Sequence, residues 1–147
     1  MSEESIVAID RPGAHIARVR MNRPDKRNAF SPDLREGLLA ALTEVLADEE
    51  TRVVIIGAVG GHFSAGGDLA SLAGIDAVSG RKRIQRGHEV VRLVLNTGKP
   101  VVAAVEGYAM GAGAGLAMDL PAVALHAVGC QRREQRTVEQ LLVQAPD

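Results

Sequence analysis

Aromatic residues are almost missing from this chain: two Phe, one Tyr and no Trp among 147 residues. Any core must therefore be built from Val, Leu, Ile and Ala. Cysteine occurs once, at Cys130, which excludes an intrachain disulfide framework and suits a reducing compartment. Charge of one sign is missing too, since 17 Lys and Arg face 18 Asp and Glu for a net charge of −1. The two signs are interspersed, so the composition offers nothing to nucleic acid or to a charged membrane surface. The longest apolar run, around residues 121–128, is too short and too interrupted to span a bilayer. The opening "MSEESIVAID" is acidic and lacks the basic-then-apolar order of a signal peptide. These absences lead to the expectation of a soluble cytoplasmic protein.

What is present is a chain of ordinary single-domain length with 46% hydrophobic residues, enough to bury a core. Ser5 to Ile9 and His15 to Met21 read as strands either side of "DRPGA", a hairpin with Pro-Gly at its turn. After the polar loop "NRPDKRNAF" comes the clearest helix, "SPDLREGLLAALTEVLADEE". Ser31 is its N-cap, Pro32 takes the first helical position, and Leu34, Leu38, Leu39, Leu42, Val45 and Leu46 share one face. "RVVIIGAV" reads as a strand buried on both faces. It runs into "GGHFSAGGDLASLAG", a Gly/Ser loop that opens a short helix near Asp68. A second amphipathic helix, "SGRKRIQRGHEVVRLVLNTG", places Ile84, His88, Val91 and Leu95 near one stripe. "KPVVAAVEG" reads as another buried strand, and "MGAGAGLAM" starts a helix of small residues. The alternation predicts an α/β fold with a largely parallel sheet.

In such sheets ligands gather where strand C-termini meet helix N-termini. "FSAGGDL" and "GYAMGAGAG" are two such places, each exposing backbone N–H groups. Taken alone, glycine-rich turns read as well as tight helix–strand packing. A dinucleotide fingerprint fails on spelling, because the sixth position counted from Gly111 is Leu116. A P-loop fails because no Gly-Lys-Ser/Thr triplet exists. No His, Cys or carboxylate cluster has metal-ligand spacing, so no metal is expected.

Three blocks in order, "MNRPDKRNAFS", "VVIIGAVGGHFSAGGDL" and "KPVVAAVEGYAMGAGAGLAM", resemble the crotonase superfamily, the enoyl-CoA hydratase/isomerase family. With the spacing between them they cover residues from about 5 to 118. The resemblance implies a crotonase-like spiral of ββα units and an acyl-CoA thioester as ligand. It implies no cofactor beyond the coenzyme A of the substrate, and a homo-oligomer, trimer or hexamer. It also implies an oxyanion hole whose two backbone amides belong to Gly67 and Ala112. By the same resemblance, Lys26 and Arg27 become phosphate partners, where otherwise they read as solvated loop charges. Ala29, Ala65 and Gly66 become backbone contacts of the nucleotide, and Gly67, Asp68, Leu69 and Ala112 complete the substrate-binding set. Asp68 reads best as a helix cap that stiffens the hole.

The pattern then breaks. Where the family's hydratases place their first catalytic glutamate this chain has Gly115, and nothing after Met118 resembles the block carrying the second. Members without a glutamate at this place are often isomerases, so the implied chemistry is more isomerase-like than hydratase-like. Residues 1–118 read as the front half of the family pattern. Residues 119–147 read as a divergent tail, as a truncated or frame-shifted gene product would carry. That tail reads equally as a terminal helix with Val138, Leu141 and Leu142 inward or as a frayed extension. The alternative function is a catalytically inactive remnant that binds CoA weakly or associates with full-length homologues. Among lone candidates, His62 reads as a surface-loop residue, His88 as a half-buried helix residue, Glu106 as a turn former and Cys130 as an unactivated thiol.

Overall fold

A computed structural model of the chain describes residues 5–120 and 122–126. Among the described residues five strands form one sheet in the order β1-β2-β3-β4-β5. They are β1 (Val7–Gly13), β2 (Ile16–Met21), β3 (Val53–Ala58), β4 (Val101–Glu106) and β5 (Ala122–His126). β1 and β2 pair antiparallel, and every later neighbour is parallel. Three helices make the parallel crossovers: α1 (Pro32–Ala47), α2 (Ala77–Leu95) and α3 (Ala112–Met118). Each crossover advances the sheet by one strand, which is the spiral expected of a crotonase-like α/β chain.

The antiparallel hairpin differs from its expected form. β1 runs on through Pro12 and Gly13, and the chain turns at Ala14 and His15, the latter with φ 61°. A bulge between Asp10 and Gly13 absorbs the shift in register. β1 is an edge strand, so the N–H that Pro12 lacks is not needed by any neighbour.

α1 forms as its sequence dictates. The Ser31 hydroxyl accepts from the Leu34 amide at 3.2 Å, and Pro32 opens the helix. Leu34, Leu38, Leu42 and Val45 are fully buried together with Ala17, Val19 and Met21 of β2. β3 buries Val54, Ile55, Ile56 and Gly57 in succession, as a central parallel strand should. β4 instead alternates, with Val101, Ala103 and Val105 inward and the residues between them half-buried.

α2 buries a different face from the one its apolar spacing suggests. Val90 and Val94 enter the core, whereas Ile84 and Leu95 are 61% and 56% exposed. His88 is exposed as well, not half-buried. The stripe through Ile84, His88 and Val91 faces an open cavity described below. Periodicity registers where apolar groups recur, not whether the volume in front of them is filled.

Past Met118, in the segment read as a tail, β5 pairs along β4 from Val102↔Ala122 to Glu106↔His126. Cys130, Val138, Leu141 and Leu142 lie outside the described residues. Among the described residues no helix is long and apolar enough to cross a membrane.

Candidate active site

Three loops converge at the C-terminal ends of β2, β3 and β4. The first begins after Met21, makes a single 3-10 turn at Pro24–Lys26, and holds both Arg27 and Asn28 in the left-handed region. Asn tolerates that conformation better than most residues. Asn28 is fully buried and ties the loop down from both sides. Its Oδ1 accepts from the Arg23 amide at 2.8 Å, and its Nδ2 donates to the Val59 and His62 carbonyls at 2.9 Å each.

The second loop follows β3 and is clamped between the other two. On one side the Ala65 amide donates to Arg27 O, the Phe30 amide to Gly66 O, and the Asp68 amide to Phe30 O. On the other side Ser64 N donates to Tyr108 O, and Met110 N donates to Ser64 O. The Ser64 side chain, fully buried, donates to Asn28 O at 2.8 Å and accepts from Gly66 N at 3.1 Å. Gly66 has φ +89°, and a Cβ there would stand 2.7 Å from Met110 O, so this contact admits only glycine.

Of the amides on these loops that make no hydrogen bond among the described residues, two belong to residues that the resemblance names. Phe30 bonds to the residues either side of Gly67, which leaves the Gly67 N–H without a hydrogen bond among the described residues. At the start of α3, Gly113 and Ala114 donate to Met110 O and Gly115 donates to Gly111 O. The Ala112 N–H is left over, again among the described residues. The two free donors each follow one member of a close pair, since a Cβ on Gly111 would lie 3.8 Å from Gly66 Cα. Both residues are exposed, and a Cβ added to Gly67 meets nothing within 4 Å. Accessible, unspent donors on adjoining loops are what a developing oxyanion requires.

Asp68 stiffens this corner. Its Oδ1 caps the short turn at Leu69–Leu72 by accepting from Ala70 N at 3.1 Å, and its Oδ2 pairs with Arg23 at 2.8 Å. The Arg23 guanidinium also donates to Ala29 O, so one side chain bridges the first two loops. The hydrogen bond from Arg23 holds the Asp68 carboxyl below the usual carboxylate range.

A cavity of about 450 Å³ opens beside α3. Ala112, Gly115, Leu116 and Asp119 form one wall, and Phe30, Leu72, Arg35 and residues of α2 form the other. Gly115 faces open space: an added Cβ meets nothing within 4 Å. Position 115, where the resemblance expects a hydratase's first glutamate, therefore borders the cavity and carries no side chain. Gly67 is not part of the cavity wall and stands outside it, on the neighbouring loop.

The remaining expected contacts fall on the same loops but spread outward. Lys26 and Arg27 are exposed and make no ion pair among the described residues, Ala29 and Ala65 are half-buried, and Leu69 is 79% exposed. His62 is half-buried rather than a surface residue, stacked on Tyr108 with ring centroids 4.0 Å apart. Its Nδ1 is buried without a hydrogen-bond partner among the described residues. Glu106 ends β4, and its carbonyl accepts from Phe63 N. Among the described residues no three His, Cys, Asp or Glu side chains converge as metal ligands would.

Two cavity residues escape a reading of motifs alone, Arg35 and Arg83. For Arg35 a signal existed: it lies four and seven residues before Leu39 and Leu42, on the apolar side of α1.

Residues 11–127 match the family model described as enoyl-CoA hydratase/isomerase. The chain is 39% identical over 107 residues to a Thermus thermophilus relative whose assigned name is of the enoyl-CoA hydratase type; the match covers 71% of this chain and 42% of the relative. It is 36% identical over 104 residues to a short-chain-enoyl-CoA hydratase of Clostridium acetobutylicum, covering 70% of this chain and 40% of that protein. Among solved structures, an enoyl-CoA hydratase of Mycobacterium smegmatis superposes with a TM-score of 0.80 at 28% identity, over 84% of this chain and 49% of that one. The chain thus spans about half the length, or less, of the relatives it matches. Since the matched region runs through all three converging loops and the whole of β2 to β5, the chain belongs to the enoyl-CoA hydratase/isomerase family.

Proposed function

We propose that this protein is a cytoplasmic acyl-CoA-binding protein whose Gly67 and Ala112 amides hold the thioester oxygen and stabilise its enolate. The observation that carries the reading is the pair of unspent N–H groups on loops locked together through Gly66 and Met110. A preorganised donor of this kind is worth about 3 kcal/mol of barrier. The acyl group enters the cavity along Ala112, Gly115 and Leu116, and Lys26 and Arg27 offer charge to the phosphates of the nucleotide. The chemistry needs no cofactor beyond the CoA of the substrate.

Water addition is disfavoured, because Gly115 has no group to transfer a proton. Isomerase-type proton movement at the α-carbon fits better. Among the described cavity residues, His88 and Asp119 are the groups able to accept that proton. Self-association belongs to the same proposal, supported by apolar side chains left outside: Leu69, Val78, Met110 and Met118 are 79%, 66%, 58% and 81% exposed.

The test is thermal stabilisation by butyryl-CoA, followed by deuterium wash-in at its α-carbon in D2O. Ala112→Pro deletes one donor at the first helical position, where proline is accepted. It should retain the fold and slow exchange by about 10²–10³-fold. Exchange unaffected by Ala112→Pro and by Gly67→Pro would remove the oxyanion assignment. A second reading, a binder without turnover, is favoured by the empty side-chain position at Gly115. Stabilisation by thioesters with no exchange would select it.

A further inference from the structure

The cavity's second wall carries two positive charges for which the proposed chemistry has no use. Arg35 is 9% exposed, and its Nη1 is buried with no hydrogen-bond partner among the described residues. Its one described contact is the face of Phe30, 5.9 Å from guanidinium carbon to ring centroid. Arg83 donates only to main-chain carbonyls, those of Ser71, Phe30 and Asp68, at 3.2–3.4 Å.

No carboxylate among the described residues pairs with either arginine. Asp68 is near enough to act on Arg35, but its oxygens are taken by Arg23 and by the Ala70 amide. Glu36 and Glu89 are both engaged by Arg86. Burial, with Arg83 beside it, holds the Arg35 guanidinium below its ordinary pKa. A buried cation with unspent donors is costly unless an anion arrives to use them.

The opposite wall carries the other sign. Asp119 lines the cavity seven residues beyond Ala112, as the C-cap of α3. Phe30, Leu72, Val91 and Leu116 supply apolar surface in the same lining. An acyl chain whose thioester meets Ala112 and whose far end is anionic is repelled by the α3 wall and drawn to the arginines.

We infer that the cavity selects acyl groups ending in a carboxylate, ω-carboxyacyl-CoA thioesters, with Arg35 and Arg83 holding the distal carboxylate. The inference rests on the reading of this cavity as the acyl site. Arginine suits the role because its planar fork matches a carboxylate with two parallel hydrogen bonds.

The experiment compares glutaryl-CoA with pentanoyl-CoA, equal in chain length, by calorimetric titration of the full chain. Glutaryl-CoA should bind about tenfold tighter or more, as charge-assisted hydrogen bonds allow. Arg83→Met and Arg35→Met should each bring the ratio of the two affinities toward one. Arg83 is half-buried and outside the core, so its variant keeps the test open if Arg35→Met does not fold. Equal affinities in the unmodified protein, or a preference for pentanoyl-CoA, would overturn the inference and leave the acyl-CoA reading standing. A preference that survives both substitutions would overturn it as well. If neither thioester binds, the acyl-CoA reading falls and takes this one with it.

Discussion

A Cβ built on Gly113 would stand 2.5 Å from the Cβ of Ser64, so the first turn of α3 rests directly on the loop that follows β3. Through this contact the amides of Gly67 and Ala112 are held on one rigid unit rather than on two independent loops.

Two glycines in the same short helix should therefore respond in opposite directions to the same change. Gly113→Ala forces atoms apart in a buried contact and should destabilise by about 1–3 kcal/mol. Gly115→Ala meets open space and should stabilise by about 0.5–1 kcal/mol, the usual gain for replacing glycine inside a helix. Urea unfolding of the two variants checks the contrast, and equal effects would contradict the packing described.

Ser64→Ala leaves Asn28 O and Gly66 N without their buried partner. The expected cost is about 1–3 kcal/mol. Hydrogen exchange at the Gly66 amide should quicken before global unfolding does. A variant as stable as the parent, with unchanged exchange, would show that the hydroxyl does not brace this loop.

Asn28→Ala should be more severe than Ser64→Ala, since three hydrogen bonds converge on one fully buried amide side chain. It also puts alanine at φ 54°, a left-handed conformation that asparagine adopts more readily. Calorimetric melting should show a larger fall in Tm than for any single exposed-loop substitution, including Lys26→Ala.

Arg23 and Asp68 predict a pH signature. The folded protein holds the Asp68 carboxyl below its ordinary range, chiefly through the Arg23 hydrogen bond. A lowered folded value means that the unfolded chain binds the proton more readily. The stabilisation is then full above the ordinary value of 3.8 and is lost as pH falls through the folded value. Arg23→Gln should thus be less stable than the parent near neutral pH, and the two stability curves should converge in acid. A gap that stays constant from neutral pH into acid would exclude the ion pair as its cause.

Much of the fold was legible because local physics and tertiary context agreed. Ser31, Pro32 and the leucine spacing specify α1 without help from the rest of the chain. The unbroken apolar run of β3 announces a strand covered on both faces. The hairpin was misread at Pro12-Gly13, because only the strand order reveals that β1 is an edge where proline does no harm. The α2 stripe was misread for a related reason: an apolar face toward a cavity has the same spacing as one toward a core. Ala122–His126 as a strand is decided by its pairing with β4, a long-range contact that no local pattern carries.

The site divides in the same way. By itself the chain's sequence determined its family, the two glycine-rich loops at strand ends, and the absence of a carboxylate at Gly115. Each is a matter of residue identity and order along the chain. Only the tertiary structure decided that the Gly67 and Ala112 amides are among those left without a hydrogen bond in the described residues. A backbone donor is free or taken according to which distant carbonyl lies opposite it, and every residue except proline carries the same N–H. Tertiary structure alone likewise made Arg35 a buried cation on a cavity wall. Its charge is written in the sequence, but the cost of that charge depends on the water and partners that folding takes away.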